Sequence, residues 1–572
     1  MRIDLKQKPF FLDDRQIEWV DTVLVNMTTE DKLNQLFLLP SMGPESAEEL
    51  IDRMDSVGCK PCGFLLRGAP SEFIRRKVAK LQAHWDIPLF IAGDLDRGAS
   101  NMITDGTPCG HQMMISATND PELAYQAGLL CAKECAAVGV NWNFGPVVDI
   151  DMNPRNPITN VRTFGSDSDR VLTFARSIAR GMRDGGLTPC IKHWPGDGVD
   201  ERDQHFLASV NSLSKEEWDN TYGKVYRGMI DDGIETLMAA HIMLPSYDRY
   251  YQPGLPAESL LPGSLNANLY TRLLREEMGF NGLIVTDASG MGGFTERVPR
   301  SVAVPMCIAA GADIFLFCRD LEEDIAFMRQ GLENGILTPE RLDEAVTRIL
   351  ALKAHMGLNS KKENGTLVPP EDALRIFGDP QSKKLADRIA DRGITLVKDT
   401  KALLPLTPDK YPDIYLIPVG DRPGYHNDRG GYAEIFARIL EQKGFRVTRY
   451  KETDSEENRY IGREKISELK RRISAIIYFC NVQTNGSDSA ARISWPGLRS
   501  TIPMLIHDIP TLMVSVDNPY HLLDAPGVSV LINAYTSEEH VIYKLVDKLT
   551  GESPFQGISP VDAFVGLENA RL

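Results

Sequence analysis

Short runs of apolar residues recur from about residue 60 to residue 355, and stretches with helical periodicity separate them. The runs include PLFIAGD, VNWNFGPVVDI, TPCIKHWPG, TLMAAHIMLP and GLIVTD, and amphipathic stretches such as LYTRLLREEMG lie between them. Alternation of buried strands with helices predicts a parallel sheet. Seven or more such repeats over about three hundred residues favour an α/β fold of the (β/α)8 TIM-like barrel type over an open doubly wound sheet.

A second set of apolar runs follows the barrel pattern. The polar stretch NSKKENGTLVPPEDA, with its glycine and its pair of prolines, is typical of a linker. The runs GITLVKD, DIYLIPVG, AIIYFCNV, TLMVSVDNP and VSVLINAY then predict another α/β region that is long enough for its own core. We therefore predict a barrel domain over 1–358, a linker over 359–385 and a C-terminal α/β domain over 386–572.

Polar residues stand at the end of almost every apolar run in the predicted barrel. In a barrel the carboxyl ends of the strands form one rim, and active sites are built on that rim. The alternative for each single residue is a loop position or a helix cap. The residues concerned are Asp94, Asp96, Asp149, Asp151, Lys192, His193, His241 and Asp287.

The composition excludes several classes of protein. A hydrophobic content of 42% with 25% charged residues is ordinary for a globular protein, and the net charge of −16 argues against nucleic acid or an anionic membrane as the main partner. The N-terminal stretch has no apolar signal region, so we expect a cytoplasmic location. The nine cysteines lack framework spacing and are expected to be buried and reduced. We expect no metal and no organic cofactor, because no His/Cys/Asp cluster has ligand spacing.

The stretch KHWPGDGVDERDQH concentrates proton carriers around a glycine-containing turn. Asp203 and His205 are two residues apart, so an extended segment places them on one side, where the carboxylate can orient the imidazole for acid/base work. A solvated surface pair is the alternative. Asp287 ends the run GLIVTD and small residues follow it, which suits a nucleophile, the alternative being a helix N-cap. A nucleophilic carboxylate with a separate acid/base is the arrangement of a retaining glycosidase.

Several motifs resemble those of glycoside hydrolase family 3, and of its β-N-acetylglucosaminidase branch in particular. KHWPGDGVDERDQH resembles the K-H-[FW]-P-G-x-G-x4-D-x-H loop of that branch, and GLIVTDASGM resembles its nucleophile strand. GVNWNFGPVVDIDMNPRNPITNVRTFGSD is similar to the family segment that contributes a sugar-binding arginine. GITLVKDTKALLPL and NPYHLLDAPGVSVLINAY resemble the α/β sandwich domain that follows the barrel in longer members.

The resemblance implies an activity and a set of site residues. Asp287 is the implied nucleophile, and Asp203 with His205 is the implied acid/base dyad, whereas the β-glucosidase branch uses a glutamate of the second domain. The glycines of the loop are expected to let the dyad close over a bound sugar. The implied reaction removes terminal β-linked N-acetylglucosamine from glycans such as chitin or peptidoglycan fragments, through a covalent glycosyl-aspartate. The residues implied to hold the sugar at the −1 site are Asp94, Arg162, Lys192 and His193.

Three alternatives stay open. The first is a phosphorylase, because a neutral histidine base does not repel a phosphate dianion as a carboxylate would. The second is a β-glucosidase-type hexosidase: the stretch DLDRGAS carries Asp96 where the family has Glu and Ala99 where it has Arg, although Arg97 offers a guanidinium nearby. The third is a non-catalytic sugar-binding protein, against which the intact set Asp203, His205 and Asp287 argues.

Two polar stretches of the second domain are candidates for loops that reach over the barrel. One is 420–432, and the other is 481–497, which carries Trp495. This tryptophan is expected either to form an aromatic platform for a sugar or to be buried in the core of its domain.

Overall fold

The computed structural model describes residues 3–41, 43–421, 430–450, 464–484, 491–495 and 501–572. The chain folds into two compact units. The first comprises Met1–Pro108, Ala124–Ile150 and Val171–Ser382, and the second comprises Cys109–Leu123, Asp151–Arg170 and Lys383–Leu572. Two segments from the stretch that predicts a barrel therefore belong to the second unit.

A sheet of eight parallel strands forms the centre of the first unit. Its strand order is β10-β1-β2-β3-β4-β5-β7-β9, and a bridge between Val285 and Ile314 links the two ends of that order. The sheet is therefore a nearly closed barrel, which confirms the predicted (β/α)8 TIM-like architecture. The strands of this unit are β1 Phe37–Ser41, β2 Gly63–Leu66, β3 Phe90–Gly93, β4 Trp142–Asn143, β5 Thr188–Trp194, β6 Ser209–Val210, β7 Thr236–Ala239, β8 Ile242–Met243, β9 Leu283–Thr286 and β10 Phe315–Leu316.

Burial explains why these runs form strands and helices. Every residue of β5, β7 and β9 is buried, as expected for a parallel sheet covered on both faces. Amphipathic helices such as Ser168–Asp184 bury one stripe, whereas every residue of Gln112–Ala117 is buried. The helices are α1 Asp14–Asn26, α2 Thr29–Gln35, α3 Ala47–Ser56, α4 Ser71–His84, α5 Gln112–Ala117, α6 Pro121–Ala137, α7 Ser168–Asp184, α8 Lys215–Asn220, α9 Tyr222–Asp231, α10 Pro245–Tyr251, α11 Gly292–Thr295, α12 Arg300–Ala310, α13 Leu321–Glu333, α14 Pro339–His355, α15 Leu358–Glu363, α16 Pro380–Gly393, α17 Tyr432–Gln442, α18 Ile466–Arg472 and α19 Glu539–Leu549. A π-helix, Asn268–Glu277, forms from the predicted helical stretch LYTRLLREEMG.

The second unit contains a mixed sheet of six strands. The order is β11-β16-β15-β14-β12-β13, in which β11 runs antiparallel to β16 and the other neighbours are parallel. This arrangement confirms a separate C-terminal α/β domain. The strands are β11 Thr395–Asp399, β12 Asp413–Val419, β13 Arg446–Arg449, β14 Ala475–Asn481, β15 Thr511–Val516 and β16 Val530–Asn533.

Trp495 packs against the core of the second unit. Its ring packs edge-on against the Tyr478 ring with centroids 5.7 Å apart, beside the buried cluster that includes Ile493 and Leu522. Trp495 is thus partly buried against the core of its domain, and its use as a platform for a sugar stays a prediction. Residues 485–490 and 496–500 around it, and 422–429 of the other candidate loop, lie outside the described residues.

The stretch predicted as a linker, 359–385, carries regular structure. It contains most of α15, a 3₁₀ helix at Glu371–Ile376 and the start of α16. The cysteines are free thiols, and all are buried except Cys318, which is half-buried. Among the described residues, no helix combines the length and the apolar character that a membrane crossing needs.

Candidate active site

Asp287 follows the last residue of β9 at the carboxyl end of the barrel. Its backbone N–H donates to the Ala239 carbonyl at the end of β7, at 2.7 Å, and only 9% of the residue is exposed. Oδ1 accepts the Ala288 N–H at 2.8 Å, which is the only hydrogen bond of this carboxylate with the described residues. Oδ2 is therefore available to attack a substrate.

The surroundings of Asp287 favour its charged form. Burial by itself raises the pKa of this carboxyl, because it removes water from the anion. The imidazoles of His193 and His241, the Ala288 N–H and His205 act in the opposite direction and outweigh it, so the pKa lies below its ordinary value of 3.8. Asp287 is thus an ionised carboxylate at neutral pH, as a nucleophile must be.

Asp203 and His205 form the pair that the sequence predicts. Asp203 Oδ1 accepts both the backbone N–H of His205, at 2.8 Å, and its Nδ1–H, at 2.6 Å. The Asp203 side chain is 1% exposed and the His205 side chain is 38% exposed. Because Nδ1 donates to the carboxylate, Nε2 is the nitrogen that can exchange a proton with a substrate.

Backbone hydrogen bonds tie the dyad loop to the loop that follows Asp287. The N–H of Gly292 donates to the His205 carbonyl at 2.7 Å, and the N–H of Gly293 donates to the Gln204 carbonyl at 3.2 Å. The side-chain oxygen of Gln204 accepts the backbone N–H of His241 at 2.9 Å. Hydrogen bonds therefore link the loop of Asp203 and His205 to the loop that follows Asp287. Sequence analysis assigned Gln204 no role.

A second aspartate–histidine pair joins the segment after β4 to the end of β5. His193 Nδ1 donates to Asp149 Oδ2 at 2.6 Å, and Asp149 Oδ1 accepts the backbone N–H of His193 at 3.1 Å and of Asp197 at 2.8 Å. Asp149 is completely buried. It follows β4, whereas His193 lies in β5, so neighbouring strands bring the pair together. Sequence analysis placed Asp149 on the rim without assigning it to His193.

Lys192 lies between two of the predicted rim carboxylates. Its Nζ is 3.0 Å from Asp94 Oδ1 and 3.3 Å from Asp96 Oδ1, and its side chain is 3% exposed. Asp94 is the more accessible of the two acids and also lies 3.5 Å from the Arg67 guanidinium. The structure thus brings together Asp94 and Lys192, both predicted to hold sugar hydroxyls, and adds Asp96 as a further partner of the lysine.

The neighbouring residues of the DLDRGAS stretch support Asp94. The guanidinium of Arg97 donates to the Asn101 side-chain oxygen at 2.8 and 3.0 Å, and the Asn101 amide donates to the Asp94 carbonyl at 2.7 Å. Ala99 is completely buried. A small buried side chain thus occupies the position where the family has Arg, and Arg97 is held by Asn101.

Arg162 belongs to the second unit, whereas Asp94, Lys192 and His193 belong to the first. It ends a 3₁₀ turn, Asn160–Arg162. Asp151 holds this turn: its Oδ1 accepts the Thr159 hydroxyl at 2.6 Å and the Asn160 N–H at 3.1 Å, and its Oδ2 accepts the Tyr520 hydroxyl at 2.5 Å. The role of Arg162 at the sugar stays a prediction.

The glycine at position 196 is required by packing. A Cβ there would lie 2.1 Å from the ring of Tyr222, and the φ of 118° lies in the region that favours glycine. The Tyr222 hydroxyl donates to the Asp197 carbonyl at 2.6 Å, and the Asn211 amide donates to the Gly196 carbonyl at 3.1 Å. This part of the loop is anchored, and closure of the dyad over a sugar stays a prediction.

The arrangement is equipped for a double displacement. Asp287 offers an ionised oxygen, His205 offers an exchangeable proton, and Asp94 with Lys192 offers an acceptor and a donor for hydroxyl groups. The two reactive groups lie on linked loops at the carboxyl end of a barrel, where this chemistry is found in barrel enzymes.

Known proteins resemble this chain over its whole length. Residues 68–352 match the Glycosyl hydrolase family 3 N terminal domain. The chain is 42% identical to a beta-N-acetylglucosaminidase/beta-glucosidase of Cellulomonas fimi, over 100% of both chains. Among solved structures it resembles beta-glucoside phosphorylase BglX, with 42% identity, a TM-score of 0.92 and 99% of each chain covered. It also resembles a family 3 β-N-acetylglucosaminidase from Paenibacillus sp. str. FPU-7, with 25% identity, a TM-score of 0.77 and coverage of 95% and 100%. The chain therefore belongs to glycosyl hydrolase family 3, whose members act on carbohydrates.

Proposed function

We propose that this protein is a retaining β-glucoside phosphorylase, which transfers a glucosyl group from a β-glucoside to inorganic phosphate. The observation that carries the proposal is the acid/base itself: an imidazole, His205, held by the buried carboxylate of Asp203. The likeness to beta-glucoside phosphorylase BglX over nearly the whole chain supports it. A cytoplasmic location suits this reaction, because a charged sugar phosphate does not cross the apolar core of a membrane.

In the first step Asp287 becomes glycosylated. Its Oδ2 attacks the anomeric carbon while Nε2 of His205 donates its proton to the glycosidic oxygen, and the bond between that carbon and oxygen breaks. The leaving group departs as an alcohol. The product is a glycosyl ester of Asp287, and the imidazole of His205 is left neutral.

In the second step phosphate releases the sugar. A phosphate oxygen attacks the anomeric carbon, the ester bond breaks, and its electron pair returns to the Asp287 carboxylate. The proton of the hydrogen phosphate passes to the neutral His205, which restores the acid for the next cycle. Two inversions give a sugar 1-phosphate with the β configuration of the substrate. A carboxylate base 4 Å from the phosphate would repel each phosphate charge by about 1 to 4 kcal/mol, whereas a neutral imidazole does not. With water as acceptor, the same imidazole would take up its proton.

Removal of terminal β-linked N-acetylglucosamine is the second candidate. The relative from Cellulomonas fimi carries both sugars in its name, and the structure from Paenibacillus is named as a β-N-acetylglucosaminidase. Chitin- or peptidoglycan-derived fragments would then be the substrates. The glucoside proposal rests on the names of the two BglX structures and on the departure at Asp96 and Ala99.

One set of rate measurements separates these candidates. Initial rates are measured on 4-nitrophenyl β-glucoside and on 4-nitrophenyl β-N-acetylglucosaminide, each with phosphate or with sulfate at equal ionic strength. We expect phosphate to accelerate the glucoside reaction in a saturable way and to give β-glucose 1-phosphate by NMR. Free sugar as the product at every phosphate concentration would contradict phosphorolysis, and a preference for the acetamido substrate would favour the second candidate.

A further inference from the structure

Phe206, directly after the proposed acid/base, is a large apolar residue that the fold leaves exposed. Its exposure is 53%, whereas Asp203 and Gln204 just before it are 4% and 1% exposed. Burying a phenylalanine side chain stabilises a fold, and the exposed position of Phe206 forgoes much of that gain. Single exposed apolar residues are common, so the place of Phe206 is what distinguishes it.

The backbone fixes Phe206 relative to both catalytic loops. Its N–H donates to the Asp203 carbonyl at 3.1 Å, and the N–H of Gly292 donates to the carbonyl of the neighbouring His205 at 2.7 Å. The Phe206 carbonyl packs so closely on Gly292 that a Cβ there would lie 1.9 Å from it. The aromatic side chain therefore stands at a constrained position beside the group that protonates the leaving group.

We propose that Phe206 forms a wall of the leaving-group subsite and selects leaving groups that present an apolar ring face, such as a pyranose or an aryl ring. The inference rests on the proposed role of His205. His205 must reach the glycosidic oxygen, so the leaving-group atoms bonded to this oxygen lie close to the imidazole. An exposed aromatic face at the next residue offers them a stacking surface. Trp495, the aromatic platform considered from the sequence, packs against the core of its own domain.

The test compares two donors that differ only in the leaving group. Cellobiose carries a sugar ring as leaving group, and β-glucosyl fluoride carries none. For Phe206→Ala we expect kcat/KM to fall about tenfold on cellobiose, which corresponds to about 1.4 kcal/mol, and to stay within about twofold on the fluoride. Phe206→Tyr keeps the ring and should restore the cellobiose rate.

A matched control is available in the same unit. Phe11 is 66% exposed, and Phe11→Ala should leave kcat/KM unchanged on both donors. An equal loss on both donors in Phe206→Ala would assign Phe206 to holding the loop and would overturn the proposal, as would no loss on either. Because kcat/KM reports glycosylation of Asp287, transfer to water alone would reject phosphorolysis and leave the Phe206 comparison intact.

Discussion

Two aspartate–histidine pairs lie in the first unit, with the same contact and different surroundings. In each pair the histidine Nδ1 is 2.6 Å from a carboxylate oxygen. His193 and Asp149 are 6% and 0% exposed in their side chains, whereas His205 is 38% exposed over an Asp203 that is 1% exposed. Asp149 also accepts the backbone N–H groups of His193 and Asp197, and Asp203 accepts that of His205.

The comparison indicates that exposure of the histidine side chain, more than its contact with a carboxylate, distinguishes the proposed proton carrier from the proposed sugar-binding group. His205 can exchange protons with solvent and meet a leaving group, while His193 is enclosed and oriented. His241 gives a third case, because its partners are the Ser264 hydroxyl at 2.8 Å and the Ala288 carbonyl at 3.0 Å. Burial lowers the pKa of His241.

The largest expected effect comes from substitution of Asp287, the proposed nucleophile. Asp287→Asn removes the anionic oxygen, and we expect kcat to fall by about 10⁴-fold or more on aryl β-glucosides. This rate is the baseline against which the two histidine pairs are compared. The variant should keep its melting temperature within a few degrees, checked by circular dichroism. Retention of more than about one per cent of the activity would place the nucleophile elsewhere.

The sequence predicts one of the two pairs and not the other, for a physical reason. Asp203 and His205 are two residues apart, so their proximity follows from local geometry. Asp149 and His193 are 44 residues apart and meet only because β4 and β5 are neighbours. The barrel itself is predicted from alternating periodicity, because buried parallel strands need apolar runs.

The assignment of Cys109–Leu123 and Asp151–Arg170 to the second unit is beyond such local signals. The segment Asp151–Arg170, which carries Arg162, reads as one more barrel connection, yet it belongs to the second unit through contacts such as that of Asp151 with Tyr520. Those partners are separated by 369 residues, and no periodicity encodes them. Likewise, nothing in DLDRGAS shows that Arg97 binds Asn101.

The next largest effect is expected to distinguish His205 from His193, because their loss should respond differently to the leaving group. His205→Ala removes the general acid, so we expect kcat/KM to fall by about 10² to 10⁴-fold on cellobiose but only slightly on β-glucosyl fluoride, which needs little protonation. Azide should then accelerate the reaction and give the β-glucosyl azide.

His193→Ala is the matched counterpart of that variant. Because His193 is expected to bind sugar and not to move a proton, its loss should reduce kcat/KM equally on both donors. A leaving-group dependence in His193→Ala as large as that in His205→Ala would break the distinction drawn from exposure.

The third prediction concerns pH. Asp287 must be ionised to attack, and its pKa lies below 3.8. Protonation of Asp287 should therefore lower kcat/KM only when the pH falls to that lowered pKa. Asp203→Asn removes the negative charge that favours a protonated His205. We therefore expect the basic limb of the profile to move to lower pH, with about a tenfold to hundredfold loss of kcat/KM near neutrality. An unmoved basic limb would show that another group is the acid.

The smallest effect on catalysis is expected at Asp149. Asp149→Asn presents an amide N–H where the carboxylate accepted a donor, so one of the bonds to His193 or Asp197 is lost in a buried site. We expect KM to rise about threefold to tenfold with kcat little changed, the basic limb of the pH profile to stay in place, and the unfolding free energy to fall by about 1 to 3 kcal/mol.

Asp200→Asn is the control for this variant, because its carboxylate also accepts a backbone N–H, that of Val210 at 2.8 Å. It should leave KM unchanged. If Asp149→Asn instead moved the basic limb as Asp203→Asn does, the buried pair would also carry the proton. Exposure would then have failed as the property that distinguishes the two pairs.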